Sequence, residues 1–258
     1  MDRNTAGTLT VPGHFAGQTV IVTGAGAGIG RGTTERLIAE GALVIGVDVL
    51  PKRLDRLVVA AQSDRLITVA GDVADRRVID QVVAAAEGRI DGLANVAGIT
   101  DGFVPTAELE DEVWERVIAV NLTAVMRLTR AVLPTMIRAG KGTIVMVSSE
   151  AGLRGSAAGT AYTTSKHAVN GFMRSTAFFY APAGVRCNAV APGAVATSIE
   201  APFRSLYAGE RLGPYLHANV PPIATAGQLA AAITWLLSDD SANVTGAVLP
   251  SDGGWCTI

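Results

Sequence analysis

Short, continuously apolar runs rich in β-branched residues recur along the chain, separated by longer segments with helical periodicity. The first run, Thr19–Thr23, reads Thr-Val-Ile-Val-Thr and is followed by a glycine. Runs of this length without polar alternation are typical of strands buried on both faces, as in a parallel sheet. Similar runs follow at 43–47, 66–69, 92–96, 143–147, 185–190 and 247–249. The chain is therefore expected to form seven strands.

Helical periodicity between these runs predicts helices at 29–40, 54–62, 78–87, 111–137, 161–180 and 228–237. Strands that alternate with helices predict the α/β class, here a Rossmann-type doubly wound seven-stranded parallel sheet. No linker or internal repeat divides the pattern, so we expect a single domain over 14–258 behind a flexible N-terminal segment, 1–13.

The longest stretch without periodicity, about 193–226, is expected to form a substrate loop. Long irregular loops in compact domains usually have a function. Apolar and aromatic residues in it, such as Phe203 and Tyr207, suit a lid over a hydrophobic substrate. A partner-binding segment is the alternative interpretation.

Composition and charge narrow the classes of function. With 21 basic and 23 acidic residues and no dense basic cluster, nucleic acid is not an expected partner. The two cysteines and three histidines lack the spacing of a disulfide framework or a metal site, so no metal is expected. The N-terminus is polar and no apolar run reaches about 18 residues, which disfavours secretion and a membrane span and favours a cytoplasmic location without membrane partners.

A glycine-rich turn separates the first predicted strand from the first predicted helix. It reads Thr-Gly-Ala-Gly-Ala-Gly-Ile-Gly over 23–30. At this place backbone N–H groups and the helix dipole can hold a pyrophosphate, although glycines also serve tight turns in proteins that bind nothing. Asp48, at the end of the second strand, lies where a carboxylate would accept hydrogen bonds from the adenosine ribose. Together the two features predict a dinucleotide site.

The order Thr-Gly-x-x-x-Gly-x-Gly resembles the cofactor turn of the short-chain dehydrogenase/reductase family, in its single-domain branch. Ala27 stands where the extended branch has glycine. The resemblance covers nearly the whole chain, and it includes an Asp-Val pair at 72–73 and Asn-Val-Ala-Gly at 95–98. It implies cofactor contacts from Gly24, Gly28, Ile29, Gly30, Asp48, Asp72, Val73, Asn95, Ala97 and Gly98.

Asp48 also indicates which cofactor is used. A carboxylate near the ribose 2′-position hydrogen-bonds a free hydroxyl and repels a 2′-phosphate, so NAD is predicted. NADP-dependent members usually carry a basic residue where this chain has Ala27 or Val49. The basic residues Lys52 and Arg53 lie nearby and argue the other way.

Tyr162 and Lys166 lie four residues apart, on one face of the helix predicted at 161–180. Such a pair is common in ordinary helices, but here Ser149 ends the fifth strand thirteen residues earlier. The resemblance implies that Tyr162 is the catalytic acid/base, that Lys166 lowers the pKa of Tyr162 and binds ribose, and that Ser149 polarises the substrate oxygen. Asn121 would bend its helix and hold a water in a proton relay.

The segment after the sixth strand resembles the Pro-Gly turn that seats the nicotinamide, with contacts from Pro192, Gly193, Val195 and Thr197. The leading hypothesis is an NAD-dependent oxidoreductase that interconverts a small-molecule secondary alcohol and a ketone. Alternatives are a 3-oxoacyl thioester reductase and a catalytically silent NAD-binding scaffold. The resemblance also implies a homotetramer. Candidate pocket residues are Phe103, Glu150, Arg154, Phe203 and Tyr207.

Overall fold

The computed structural model describes residues 9–197 and 202–257. Most of the N-terminal segment predicted to be flexible, residues 1–8, lies outside the described residues. Residues 9–13 run along the protein surface, where the Val11 N–H donates to Glu40 Oε1 over 3.3 Å.

Seven strands form one parallel sheet in the order β3-β2-β1-β4-β5-β6-β7. This confirms the predicted Rossmann-type fold class. Each strand lies within about two residues of its predicted bounds. The strands are β1 Thr19–Thr23, β2 Leu43–Asp48, β3 Leu66–Ala70, β4 Gly92–Asn95, β5 Gly142–Val147, β6 Val185–Pro192 and β7 Val248–Ser251.

Eight α-helices cover the sheet or flank its carboxyl edge in the described part of the chain. They are α1 Gly28–Ala39, α2 Pro51–Ala61, α3 Arg76–Ala85, α4 Asp111–Ile118, α5 Ala124–Ala139, α6 Thr160–Tyr180, α7 Leu206–Asn219 and α8 Ala226–Leu237.

Two apolar cores lie on opposite faces of the sheet, and successive residues of one strand alternate between them. In β1, Val20 and Val22 pack in one core with Leu37, whereas Ile21 packs in the other with Leu128. A strand buried on both faces needs apolar side chains at every position, which explains its unbroken apolar run. β3 forms where it was predicted, but its predicted burial on both faces was wrong, because it is an edge strand in which Ile67 is 36 % exposed.

The helix predicted at 111–137 is interrupted. A π-helical turn, Ala119–Thr123, separates α4 from α5 and contains Asn121. Such turns insert one residue into an α-helix and are frequent at functional sites. The stretch Asp111–Ala139 is long and apolar enough to cross a membrane, yet half of its most apolar window is buried inside the fold, as in the core helix of a globular protein.

The segment 193–226 is less irregular than predicted, because it contains α7. Ser205 caps this helix by accepting a hydrogen bond from the Ala208 N–H over 3.0 Å. Gly209, Gly213 and Pro214 lie within the helix, where glycine and proline are unfavourable, and they conceal its periodicity in the sequence.

Strands β1 and β4 are neighbours although β2 and β3 come between them in the chain. The connections leave β1 and β4 towards opposite sides of the sheet, which opens a crevice at their carboxyl ends. In doubly wound folds ligands bind at such a switch point.

Asp101, in the loop after β4, fixes the start of α6. The residue before this helix is Gly159, which has no side chain to cap it. Instead, the buried Asp101 carboxylate accepts hydrogen bonds from the N–H groups of Tyr162, over 2.9 Å, and Phe103, over 3.1 Å. A carboxylate at a helix N-terminus also interacts favourably with the helix dipole.

We expect Asp101→Ala to lower the free energy of unfolding by about 1–2 kcal/mol, because an N-terminal N–H of α6 loses its acceptor in a buried place. Urea denaturation measures the change. The matched control is Asp64→Ala at an exposed position between α2 and β3, which should change stability by less than about 0.5 kcal/mol. Equal losses in the two variants would contradict the capping role.

Candidate active site

The glycine turn brings the start of α1 against the end of β1. A β-carbon on Gly30 would lie 2.1 Å from the Gly24 carbonyl oxygen, so only glycine fits there. Gly24 and Gly28 have φ angles of +68° and +51°, in the left-handed region that favours glycine. Ala27 precedes the helix and offers no side-chain cap, so the first N–H groups of α1 face the cavity as an anion site.

Asp48 is tied to this turn by two hydrogen bonds. Its carboxylate accepts from the N–H of Gly26, over 3.0 Å, and from the N–H of Leu50, also over 3.0 Å. A β-carbon on Gly26 would lie 2.9 Å from Asp48 Oδ2 and 2.5 Å from the Arg53 β-carbon. Gly26 was not among the predicted site residues; its role becomes visible only once β2 lies beside β1. Asp48 and Arg53 line the cavity side by side.

The end of β4 is held to the end of β1 by Thr23. Its hydroxyl accepts hydrogen bonds from the N–H groups of Val96 and Ala97, each over 3.0 Å. This contact explains why a threonine opens the glycine motif. Ala97 and Gly98 line the cavity, as do Gly24, Gly28, Ile29 and Gly30.

Four predicted site residues lie outside the cavity wall, namely Asp72, Val73, Asn95 and Asn121. The Asp72 carboxylate pairs with Arg116 over 2.8 Å. The Asn95 amide donates to Thr129 Oγ1 over 3.3 Å, towards α5. In this structure the side chains of these two residues therefore join elements of the fold.

Ser149, Tyr162 and Lys166 line the same cavity as Asp48. The Lys166 ammonium lies 5.4 Å from the centre of the Tyr162 ring and donates to the Val147 carbonyl over 2.8 Å. The Ser149 hydroxyl accepts from the Ala151 N–H over 3.1 Å and hydrogen-bonds to Tyr162. The spacing in the sequence thus correctly predicted that these three groups meet.

Burial dominates the electrostatics of this pair. It raises the pKa of Tyr162, an effect that the hydrogen bond from Ser149 opposes and the charge of Asp101 reinforces. Burial also lowers the pKa of Lys166 to about 8. The lowering of the Tyr162 pKa by Lys166 therefore stays a prediction, because desolvation of the buried phenolate sets the direction of the shift here.

Asn121 fastens the loop after β4 to the central helices. Its side-chain amide donates to the Ile99 carbonyl over 2.9 Å and to Ser165 Oγ over 3.1 Å, and its oxygen accepts from the Ile99 N–H over 2.9 Å. A β-carbon on Gly98 would lie 3.3 Å from Asn121 Oδ1 and 3.5 Å from Lys166 Nζ. Glycine at 98 thus leaves space between Asn121 and the lysine.

The turn after β6 supplies the remaining wall on the cofactor side. Pro192, Gly193, Val195 and Thr197 all line the cavity. Thr197 packs on the glycine turn, since a β-carbon on Gly28 would lie 3.0 Å from the β-carbon of Thr197. Val195 pairs with Ala224 in an isolated bridge, which holds this turn to the segment after α7.

The cavity has a volume of about 400 Å³. Of the five predicted pocket residues, Phe103 and Glu150 line it, whereas Arg154, Phe203 and Tyr207 do not. The Phe203 ring instead packs on Phe103, with 4.5 Å between ring centres. The predicted substrate loop, 193–226, also supplies Leu216, Val220 and Ile223 to the wall. The C-terminal turn adds Trp255, which the sequence did not indicate.

Known proteins share this architecture. A protein-family model described as short chain dehydrogenase matches residues 18–207. The chain is 39 % identical to the short-chain dehydrogenase/reductase cdmF of Talaromyces verruculosus, over 93 % of this chain and 97 % of that protein. It is 37 % identical to 3beta-hydroxysteroid dehydrogenase 2 of Eggerthella lenta, over 93 % and 95 % of the two chains.

Solved structures agree with these relatives. Levodione reductase superposes with a TM-score of 0.84 at 33 % identity, covering 94 % of this chain and 99 % of that one. A putative NAD(P)-dependent gluconate 5-dehydrogenase from Beutenbergia cavernae, with NADP bound at low occupancy, gives 0.85 at 33 % identity, covering 96 % and 100 %. The chain therefore belongs to the short-chain dehydrogenase/reductase family, whose oxidoreductases bind a nicotinamide cofactor and act on CH–OH groups.

Proposed function

We propose that this protein is an NAD-dependent oxidoreductase that interconverts a secondary alcohol and a ketone, with Tyr162 as acid/base. The observation that carries the proposal is the convergence of Ser149, Tyr162 and Lys166 on one cavity with the glycine turn. A silent scaffold is not favoured, because these three side chains are all present and in contact range of a shared substrate. The nicotinamide cofactor, when bound, accepts or returns the hydride.

The side chains divide the remaining work. In alcohol oxidation the Tyr162 phenolate takes the hydroxyl proton as hydride leaves the carbinol carbon, and in ketone reduction the phenol returns that proton to the oxygen. Ser149 holds the substrate oxygen by a hydrogen bond. Because burial raises the pKa of Tyr162, the positive charges of Lys166 and of the oxidised cofactor must together stabilise the phenolate.

The cofactor site fits a dinucleotide, since the turn holds glycines where a β-carbon would meet backbone atoms or Asp48. Gly24, Gly28, Ile29 and Gly30 would hold the pyrophosphate. Asp48 would accept hydrogen bonds from the adenosine ribose, which supports NAD over NADP. Arg53 lines the cavity beside Asp48 and would attract a 2′-phosphate, but the buried carboxylate is fixed by two N–H groups and keeps its place.

We further propose a single domain over 14–258, a cytoplasmic location and a homotetramer. The oligomer is supported by two neighbouring exposed aromatic residues at the end of α6, Phe178 and Phe179, which are 77 % and 68 % exposed. Adjacent exposed aromatic residues are typical of protein interfaces. Light scattering of the purified protein measures the oligomeric state.

Tyr162→Phe should lower kcat for a turned-over alcohol by about 10³-fold or more, because the proton acceptor is removed. The affinity for NADH should stay within about threefold of that of the unaltered protein. Steady-state kinetics and fluorescence titration with NADH measure the two effects. Tyr180→Phe, at the far end of the same helix, is the matched control and should retain kcat. Full activity in Tyr162→Phe would exclude the assignment.

Asp48→Ala should raise the ratio of kcat/KM with NADP to that with NAD by about tenfold or more, because the 2′-phosphate no longer meets a fixed carboxylate while Arg53 remains. Asp55→Ala, at an exposed position of α2, should leave the ratio unchanged. A preference of the unaltered protein for NADP would contradict the proposed cofactor.

A further inference from the structure

The substrate end of the cavity, beyond Ser149 and Tyr162, has a largely apolar wall. It is formed by Ala157, Ala158, Leu216, Val220, Ile223 and Trp255. Among the described residues, the lysine and arginine side chains of the cavity wall are Lys166, beside Tyr162, and Arg53, beside Asp48. No cation of the described wall is therefore placed to receive a negative charge on a substrate.

The acidic groups at this end of the cavity also disfavour an anionic substrate. Both carboxylate oxygens of Asp101 accept backbone hydrogen bonds, so this residue serves the start of α6. Burial and hydrogen bonding to Asp252 raise the pKa of Glu150 to about 7, an effect that the charge of Arg154 opposes. A substrate anion would lose its hydration here and gain no partner, which is costly.

We propose that the substrate is a neutral, mainly apolar secondary alcohol or ketone. This inference rests on the proposed hydride transfer and names the substrate class of the same site. It separates this chain from dehydrogenases of sugar acids, whose substrates carry a carboxylate, and from reductases of thioesters on phosphorylated carriers.

Two cyclohexanones that differ at one position test the substrate class, 4-methylcyclohexanone and 4-oxocyclohexanecarboxylate. With NADH, kcat/KM should be at least about tenfold higher for the methyl compound, because the carboxylate stays unpaired. Val220→Arg should reduce the difference in kcat/KM between the two ketones by supplying a cation for the carboxylate. The control Val220→Leu should leave this difference unchanged. Equal use of both ketones, or preference for the carboxylate, would overturn the inference.

Binding to the Tyr162→Phe variant loaded with NADH, followed by cofactor fluorescence, separates this inference from the proposed chemistry. Tighter binding of the methyl compound to this variant supports the substrate class, even where the unaltered protein shows no turnover and the proposed reaction fails. Failure of both ketones to bind overturns the substrate class.

A second observation concerns the buried carboxyl group next to the catalytic serine. Glu150 is 1 % exposed, and its carboxyl lies within 4.8 Å of the carboxyl of Asp252 and the thiol of Cys256. Arg154, four residues further on, pairs with Glu150 over 2.5 Å. Two acids and one cation thus share a small volume beside Ser149.

Asp252 and its neighbours join this cluster to the rest of the cavity wall. The Asp252 carboxylate accepts hydrogen bonds from the N–H groups of Gly254, over 2.9 Å, and Cys256, over 2.7 Å. A β-carbon on Gly193 would lie 3.0 Å from the Asp252 α-carbon, so the C-terminal turn packs directly on the turn after β6. The Arg154 guanidinium lies 4.8 Å from the Trp255 ring centre.

From these contacts we infer that Glu150 and Asp252 form a proton-sharing pair that positions the Ser149 loop against the C-terminal turn and keeps Trp255 in the substrate wall. Both are positioning residues. Protonated Glu150 donates to the Asp252 carboxylate, whereas two charged carboxylates at this distance would repel each other, a repulsion that the charge of Arg154 reduces.

The stability contributed by Glu150 should decrease as the pH rises, because folding raises the pKa of its carboxyl group. The pKa of Glu150 is raised from 4.5 to about 7 in the folded protein. Its contribution to stability is therefore fully present below about pH 4.5 and is lost as the pH rises through about 7. A neutral amide at position 150 keeps the hydrogen bond to Asp252 and does not titrate.

Glu150→Gln tests the pair. The ratio of its kcat/KM to that of the unaltered protein should rise at least about threefold between pH 6 and 8.5, and its advantage in melting temperature should grow over the same range. Glu150→Ala should raise KM about tenfold or more, a loss that Gln avoids. The control Glu108→Gln, at an exposed position, should show none of these effects. A ratio independent of pH, or equal behaviour of Ala and Gln, would overturn the inference.

Discussion

The candidate active site lies at the carboxyl edge of the sheet and depends on one close contact between two backbone segments. The first turn of α1 lies directly against the carbonyl group of Gly24. No side chain fits between them, since a β-carbon on Gly30 would lie 2.1 Å from that oxygen. Because the helix begins so close to the end of β1, its N–H groups open onto the crevice between β1 and β4. The Thr23 hydroxyl then holds the ends of the two strands together. Asp48 ends β2 and Ser149 follows β5, so both residues lie at this same carboxyl edge of the parallel sheet.

Burial on both faces explains how much of the fold the sequence predicts. The inner strands β1, β2, β4, β5 and β6 are apolar at most positions, so their runs stand out in the sequence. β3 has a similar run, but its edge position depends on strand order, which its own residues do not encode. α7 escaped prediction because Gly209, Gly213 and Pro214 break its pattern.

In the candidate site, too, residues whose positions follow from local sequence patterns were predicted, whereas residues that come from distant parts of the chain were not. Tyr162 and Lys166 share one helix, and Ser149 lies just after the end of β5 at the same edge of the sheet, so their meeting follows from spacing and fold class. Asp101 and Trp255 reach the site from remote segments. An isolated aspartate in a loop or a tryptophan near the end of the chain has no periodicity that marks it, and only the folded chain gives it a role.

The π-helical turn at Ala119–Thr123 has a consequence for how this region can change. An α-helix advances about 100° per residue, so the extra residue rotates α5 relative to α4 by about that angle. With the extra residue in place, the core-facing side of α5, which includes Leu128, Val132 and Met136, and Val117 of α4 are both buried. A point substitution at Asn121 alters one side chain, whereas a return to a regular helix would require a deletion that rotates the buried side of α5 relative to α4. The π-helical turn therefore sets the rotation of α5 relative to α4. The packing of these two helices retains the turn in which Asn121 lies.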